Sequence, residues 1–313
     1  MTNELHPAVS GIPLCFGGNV FGWALDRDAS FAVLDAFYEA GGRMIDTAEC
    51  YSFWVPGNEG GESEAIIGEW MESRGVRKDM HIATKTNVEA SPGGLAPDRV
   101  AHQLDASLNR LRSDYVDLYY AHRDDAQTPQ DEVAAGFDAL VKAGKVKSLG
   151  ASNFTAERLA SAIEAARPQG LTAYSVMQDE YNLVTRSHYE ADMLKVGEKY
   201  GLIAFPYYGL ASGYLTGKYR NDSDFDGGVR GQDVKRYHDD HGKAVIAAMD
   251  KIVDDTGASH AAIALAWLGS RPCVAAPIAS ATSTKQLQQL LEAASLSLTT
   301  EQLDLLNNPL DHS

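Results

Sequence analysis

Cysteine is scarce in this 313-residue chain. The three present, Cys15, Cys50 and Cys273, are odd in number and lack metal-ligand spacing. They read as reduced thiols of a cytoplasmic protein, which sets aside a disulfide scaffold and a thiolate zinc site. Cys50 stands beside Tyr51 and can be read as a reactive thiol or as a small packed residue; packing is the expectation. Basic residues are also few: 27 Lys and Arg face 43 Asp and Glu, for a formal net charge of −16. Such a balance favours solubility and argues against nucleic acid or an anionic membrane as partner. No apolar run approaches the roughly 18 residues of a membrane span. The opening stretch MTNELHPAVSGIPL has no basic segment leading into an apolar one, so no signal peptide is expected. Internal repeats, low-complexity tracts and interdomain linkers are absent as well.

What is present is an alternation of short apolar runs and amphipathic segments. IPLCFGG (12–18), RMIDT (43–47), MHIATKT (80–86) and YVDLYYAH (115–122) read as strands. So do KVKSLGAS (145–152), AYSVMQ (173–178), LIAFPY (202–207) and CVAAPIA (273–279). Helical patterns fill 30–41, 63–73, 97–111 and 131–144, with Pro97 at a first turn. Another helix opens at Asn153–Thr155, where either residue can cap, and further ones lie near 188–200, 258–270 and 284–294. Eight β/α units with short connectors predict one domain over 1–313, a closed parallel (β/α)8 TIM barrel. A doubly wound sheet would leave two edge strands and hold fewer units. One connection departs from the pattern. Roughly 50 residues, about 208–257, separate strand seven from its helix and include NDSDFDGGVRG. A loop of that length is usually functional or disordered, and on a barrel this one leaves the catalytic face.

Chemistry in such a barrel gathers at the C-terminal strand ends. Asp46 ends strand two, Tyr51 follows five residues on, Lys85 ends HIATK and His122 ends strand four. Each residue alone has an ordinary explanation, although a lysine inside an apolar strand needs a partner. Together, a carboxylate, phenol, ammonium and imidazole form a proton-donating unit. Lys85 between Asp46 and His122 disfavours a metal ion, so no metal site is expected.

The segments around these residues carry a resemblance. G-R-M-I-D-T-A-x-x-Y with the following G-E-S-E-x-x-I-G (42–68), and A-G-K-V-K-S-L-G-A-S-N-F (143–154), resemble the aldo-keto reductase family. The likeness runs from about residue 11 to 295. It implies a β/α barrel oxidoreductase that binds a nicotinamide dinucleotide in extended form, and the chain indeed has no G-x-G-x-x-G. The implied reaction reduces a small-molecule aldehyde or ketone, or runs in reverse. Charge developing on the carbonyl oxygen needs a proton donor within about 3 Å. Tyr51 is the expected acid, with Lys85 lowering its pKa, Asp46 anchoring Lys85, and His122 orienting the carbonyl. Some members are instead regulatory, nucleotide-binding channel subunits with little turnover, which is the alternative reading.

The resemblance also implies a cofactor groove. Ser152, Asn153 and Gln178 match the carboxamide contacts, Tyr207 the aromatic stacked on the nicotinamide, and Gly18, Asn19 and Val20 the loop beside its ribose. Within YYGLASGYLTGKY (207–219), Tyr208, Gly209, Leu210, Ala211, Ser212 and Lys218 match the pyrophosphate segment, and Arg230 is placed near the adenine. PIASATSTKQLQQLL (277–291) matches the segment reading the 2′-phosphate, through Ile278, Ser280, Thr282 and Gln286, with Lys285 its one cation. NADPH (NADP+) is the expected cofactor, with NADH possible; Thr282–Thr284 also reads as a plain helix cap. Phe21, Trp23, Trp54, Tyr51, His122 and Arg123 are the expected substrate contacts.

Overall fold

The computed structural model describes residues 9–87, 93–226 and 234–312. Eight parallel strands follow one another in space: β1 (Cys15–Gly17), β2 (Met44–Asp46), β3 (His81–Thr86), β4 (Val116–Ala121), β5 (Val146–Ser152), β6 (Val176–Gln178), β7 (Ile203–Ala204) and β8 (Ile278–Ala279). β8 pairs with β1. A parallel bridge between Ala204 and Val274 closes the ring on the other side, with Ala204 N–H donating to the Cys273 carbonyl at 2.7 Å. The expected (β/α)8 TIM barrel is therefore the observed fold.

The last two strands are shorter than their apolar runs because each run contains proline. Pro206 and Pro277 have no N–H for a ladder. Their carbonyls still serve: Ile278 N–H donates to Pro206 at 2.8 Å and Cys15 N–H to Pro277 at 3.0 Å.

Side-chain alternation splits the core in two. Cys15, Met44, Ala83, Leu118, Tyr120, Val176, Phe205 and Ile278 fill the barrel interior. Their neighbours, such as Ile45, Ile82, Tyr119 and Leu149, face outward against the helices. Those helices are α1 (Arg27–Glu39), α2 (Glu62–Arg74), α3 (Pro97–Leu111), α4 (Gln130–Lys142), α5 (Ala156–Ala166) and α6 (Leu194–Tyr200). Caps decide several starts: Asp26 accepts from Ala29 N–H, and Thr155 rather than Asn153 caps α5 through Arg158 N–H. The expected helix at 188–200 contains one wide π turn, Tyr189–Met193, ahead of α6.

The long connection after β7 is not a single loop. Asp239 caps a 17-residue helix, α7 (Asp240–Thr256), before α8 (His260–Gly269) returns the chain to the barrel. Val245, Met249 and Ile252 form the buried stripe of α7 at helical spacing. The polar stretch ahead of it hid a regular period. After β8 come α9 (Thr284–Glu292) and α10 (Thr300–Asn307). Among the described residues, no helix is long and apolar enough to cross a membrane.

α2 crosses the end of α3 at Gly68. A Cβ there would lie 2.2 Å from the Arg110 carbonyl oxygen and 2.6 Å from the Leu111 carbonyl carbon. Backbone cannot move aside as a side chain can. Gly68→Ala is expected to destabilise the barrel by about 1–3 kcal/mol in chemical denaturation; unchanged stability would disprove this close-contact role.

Candidate active site

The four expected chemical residues meet above β2, β3 and β4. Lys85 is wholly buried, and all three ammonium protons have acceptors. Nζ donates to Asp46 Oδ2 at 2.5 Å, to the Thr47 carbonyl at 2.8 Å and to the Tyr51 hydroxyl at 3.2 Å. The other Asp46 oxygen accepts from Gln178 Nε2 at 2.8 Å. Burial alone would depress the Lys85 pKa, but attraction to Asp46 and Tyr51 outweighs it and holds the group above its ordinary value. Lys85 is therefore a cation in the folded protein.

The electrostatics of Tyr51 differ from the sequence expectation. Burial pushes its phenol up to about 12, and Lys85 opposes that rise without reversing it. Desolvation outweighs the ammonium here. Tyr51 thus remains a protonated phenol through the neutral range. His122 is driven the other way: burial, then Lys85 and Arg123, hold it well below its ordinary value, leaving a neutral ring. Its centroid lies 6.1 Å from that of Tyr51. Cys50 Sγ sits 3.9 Å from His122 Nδ1, and burial pushes its thiol up to about 12. The packed reading of Cys50 therefore holds, since a reactive thiol needs a lowered pKa.

The supports of this cluster were not singled out as site residues, although they stand inside the quoted motif. Glu62 accepts backbone N–H groups from Ser52, Glu59 and Gly60, pinning the loop after Tyr51. Ser63 donates to the Gly18 carbonyl at 2.8 Å and lies 2.8 Å from Thr47 Oγ1, joining the loops after β1 and β2. Glu64 accepts from Thr84 at 2.5 Å and from Arg110 Nε at 2.7 Å. Glu49 accepts from Thr86, Asn87 N–H and Arg99, tying the β2 loop to β3. A run of polar residues opening a helix was the available signal.

The expected carboxamide group forms one network. Asn153 Nδ2 donates to Ser152 Oγ and to the His122 carbonyl, both at 3.0 Å. The Tyr207 hydroxyl donates to Asn153 Oδ1 at 2.8 Å. Gln178 belongs to the same floor, with its amide N–H on Asp46. After β1, Gly18–Val20 makes one 3-10 turn, with the Val20 side chain buried. The Ser280 hydroxyl lies 2.7 Å from both the Gly17 carbonyl and Asn19 Oδ1, linking this turn to β8. Ile278 points into the barrel interior.

Past β7, Tyr208, Ala211 and Ser212 adopt left-handed φ values of 54°, 47° and 55°. Within the segment expected to meet the pyrophosphate, the Ala211 N–H is already engaged by the Tyr208 carbonyl at 2.7 Å. That leaves Gly209, Leu210 and the Ser212 hydroxyl as the candidates. Lys218 is exposed, its Nζ 4.9 Å from the Tyr219 ring centre. Gln286 turns back to accept from Thr282 N–H at 2.8 Å, and Ser283 caps α9. The cap reading of this segment is thus realised. Arg230 lies outside the described residues.

Of the expected substrate wall, Trp23 and Trp54 meet edge to face at 5.8 Å, and Trp54 reaches Tyr51 at 5.7 Å. Phe53, Trp54 and Tyr208 are exposed at the rim. Phe21 is a correction. Its side chain has no solvent exposure and stacks on Phe16 at 5.4 Å, so it belongs to the core. Arg123 is exposed, whereas Asp124 is held by Arg158 at 2.6 Å.

Comparison with known proteins agrees with this geometry. An aryl-alcohol dehydrogenase [NADP(+)] of Phanerodontia chrysosporium is 30% identical, over 91% of this chain and 76% of its own length. A norsolorinic acid reductase of Emericella nidulans is 31% identical, over 93% and 76%. A probable voltage-gated potassium channel subunit beta of Oryza sativa is 32% identical, over 87% and 84%. The profile of the aldo/keto reductase family matches residues 13–309. With its barrel closed and its lysine–carboxylate pair beneath a tyrosine, the chain belongs to the aldo/keto reductase family.

Proposed function

We propose that this protein reduces an aldehyde or ketone with NADPH, or oxidises the matching alcohol, with Tyr51 as proton donor. The observation that carries this reading is the buried Lys85 ammonium, held by Asp46 at 2.5 Å and facing the Tyr51 hydroxyl at 3.2 Å. The residues around it fit a nicotinamide nucleotide. The half-buried Tyr207 bonds Asn153, Asn153 bonds Ser152, and Gln178 bonds Asp46 nearby, amide and hydroxyl groups suited to a flat ring bearing a carboxamide. The left-handed backbone at Tyr208, Ala211 and Ser212 suits a phosphate-bearing chain. The bound nucleotide would supply the hydride.

The protein supplies the rest. A carbonyl oxygen between Tyr51 and the neutral His122 accepts hydrogen bonds from both. As charge grows on that oxygen, the Tyr51 O–H bond breaks and its proton moves to the oxygen. The resulting phenolate sits against Lys85, whose charge is assured by Asp46. In the reverse direction the same phenolate takes the alcohol proton. Trp23 and Trp54 form an apolar wall beside the acid, which favours an aromatic or other apolar carbonyl compound. A cytoplasmic setting fits the three free cysteines. NADPH is preferred over NADH in this reading, supported by the relative named for NADP(+).

Two variants test the assignment by loss of reduced-nicotinamide absorbance against a panel of aromatic aldehydes, ketones and keto-sugars. Tyr51→Phe should lower turnover by at least ~10²-fold while leaving nucleotide affinity nearly unchanged. Near-normal turnover would rule out Tyr51 as the acid. Lys85→Met should lose activity and also stability, by about 3–5 kcal/mol, because it strands the buried Asp46 carboxylate. A Lys85→Met protein as stable as the parent would refute the buried-pair account. Tight nucleotide binding with no turnover on any compound would favour a regulatory subunit, the reading suggested by the channel-subunit relative.

A further inference from the structure

The backbone that carries His122 leaves β4 between two neighbouring strands, and both hold it. The His122 N–H donates to the Thr86 carbonyl, at the end of β3, at 2.7 Å. From the β5 side, Asn153 Nδ2 donates to the His122 carbonyl at 3.0 Å. From the β3 side, Asn87 Nδ2 donates to the next carbonyl, that of Arg123, at 3.1 Å. Three successive peptide units are thus held from the two flanking strands. The imidazole has far less to hold it. Among the described residues its one hydrogen-bonding neighbour is Cys50 Sγ, at 3.9 Å. The place of the ring therefore depends on the backbone beneath it.

Asn87 meets two requirements at one position. Its φ is 70°, in the left-handed region. Glycine adopts that conformation freely and asparagine at small cost, whereas most side chains are strained there. The residue is 7% exposed, and its amide supplies the donor to Arg123. Glycine would satisfy the backbone and leave the carbonyl without its donor.

Glu49 fixes this turn. Its Oε1 accepts the Asn87 N–H at 3.0 Å and Arg99 Nη2 at 3.1 Å, and its Oε2 accepts the Thr86 hydroxyl at 2.9 Å. Arg99 Nη1 donates in turn to Thr86 Oγ1 at 3.0 Å and to the Gly94 carbonyl at 2.8 Å. Glu49 stands two residues before Tyr51. A continuous chain of contacts therefore runs from the Tyr51 loop, through Glu49 and Asn87, to the His122 loop.

We propose that Asn87 is a positioning residue for carbonyl reduction: its side-chain amide, bonded to the Arg123 carbonyl, fixes the His122 loop against the Tyr51 loop so that imidazole and phenol meet one carbonyl oxygen. The inference rests on the roles of Tyr51 and His122 proposed above. Both donors need to lie within about 3 Å of that oxygen, and the two ring centres are 6.1 Å apart. A drift of about 1 Å in either loop costs one of the two bonds, and misplacement of that size can slow a reaction by up to ~10²-fold. Asn87 itself acts at a distance from the reacting atoms, through the backbone.

Two variants separate this role from an ordinary strand-end contact. Asn87→Gly keeps the left-handed turn and the N–H to Glu49 and removes only the amide. Asn87→Asp keeps the shape but sets a carboxylate against the Arg123 carbonyl. Single-turnover reduction of an aromatic aldehyde at saturating NADPH is measured for both, and for Asn87→Gly combined with His122→Gln. Turnovers are followed for hours, which keeps slow variants measurable. Melting temperature and NADPH affinity, read by quenching of intrinsic fluorescence, are measured alongside.

The Gly variant should melt within about 4 °C of the parent, as loss of one hydrogen bond implies. It should bind NADPH within about twofold of the parent and react about tenfold more slowly. The Asp variant should be at least as slow. In the His122→Gln background the Gly substitution should cost less than about twofold, because the ring it positions is gone. A Gly variant reacting within about twofold of the parent would overturn the inference. So would a tenfold loss that persists in the His122→Gln background, or a loss of NADPH affinity in proportion to rate. A parent that reduces no carbonyl compound, or a His122→Gln variant at the parental rate, would instead overturn the reading of the site and this inference with it.

Discussion

A lysine buried without solvent contact is tolerable only if its charge is fully answered, and the site follows from how that is done. Asp46, the Thr47 carbonyl and the Tyr51 hydroxyl take the three Lys85 donors. Each acceptor comes from β2 or the loop after it, while Lys85 comes from β3. The pair therefore fixes one strand end against the next. Asp46 passes the constraint on through Gln178, across the barrel interior to β6. Replacing such a pair by apolar residues would cost the fold little, whereas breaking it would cost much. Its retention is best understood through the phenol it faces.

The polar motif that opens α2 is a frame for that pair. Glu62, Ser63 and Glu64 stand in sequence, yet each serves a different element: the loop after Tyr51, the turn after β1, and β3 with α3. Consecutive residues at a helix start point in different directions, so one short segment can brace three loops. The same logic recurs around β6, where backbone carbonyls hold Asn153 and Tyr207 from either side. Precision at the proposed reacting centre thus comes from loops tied to strand ends, which hold a geometry better than free loops.

Much of this was legible in the sequence because the signals were periodic or costly. Eight apolar runs separated by amphipathic segments specified the barrel, and a lysine ending an apolar run advertised a buried partner. Length was harder: Pro206 and Pro277 shortened β7 and β8 inside runs that looked continuous. α7 was masked by the polar, glycine-rich stretch before it. Environment was harder still. Phe21 follows a strand end as a pocket residue would, but it turns into the core against Phe16. The direction of the Tyr51 shift depends on how much water reaches the phenol, and spacing carries no such information. Gln286 and Ala211 N–H look available in a motif, yet local bonds already engage them.

In the proposed reaction Tyr51, kept protonated by burial and faced by an assured ammonium, delivers the proton. The pH profile of single-turnover carbonyl reduction at saturating NADPH tests it most directly, because saturation removes any effect of pH on binding. The phenol is held at about 12. The expected rate is therefore flat between about pH 6 and pH 9, with no loss of the acid form across that range. A rate that falls with an apparent pKa near neutrality, with NADPH still saturating, would contradict it and assign the proton to another group.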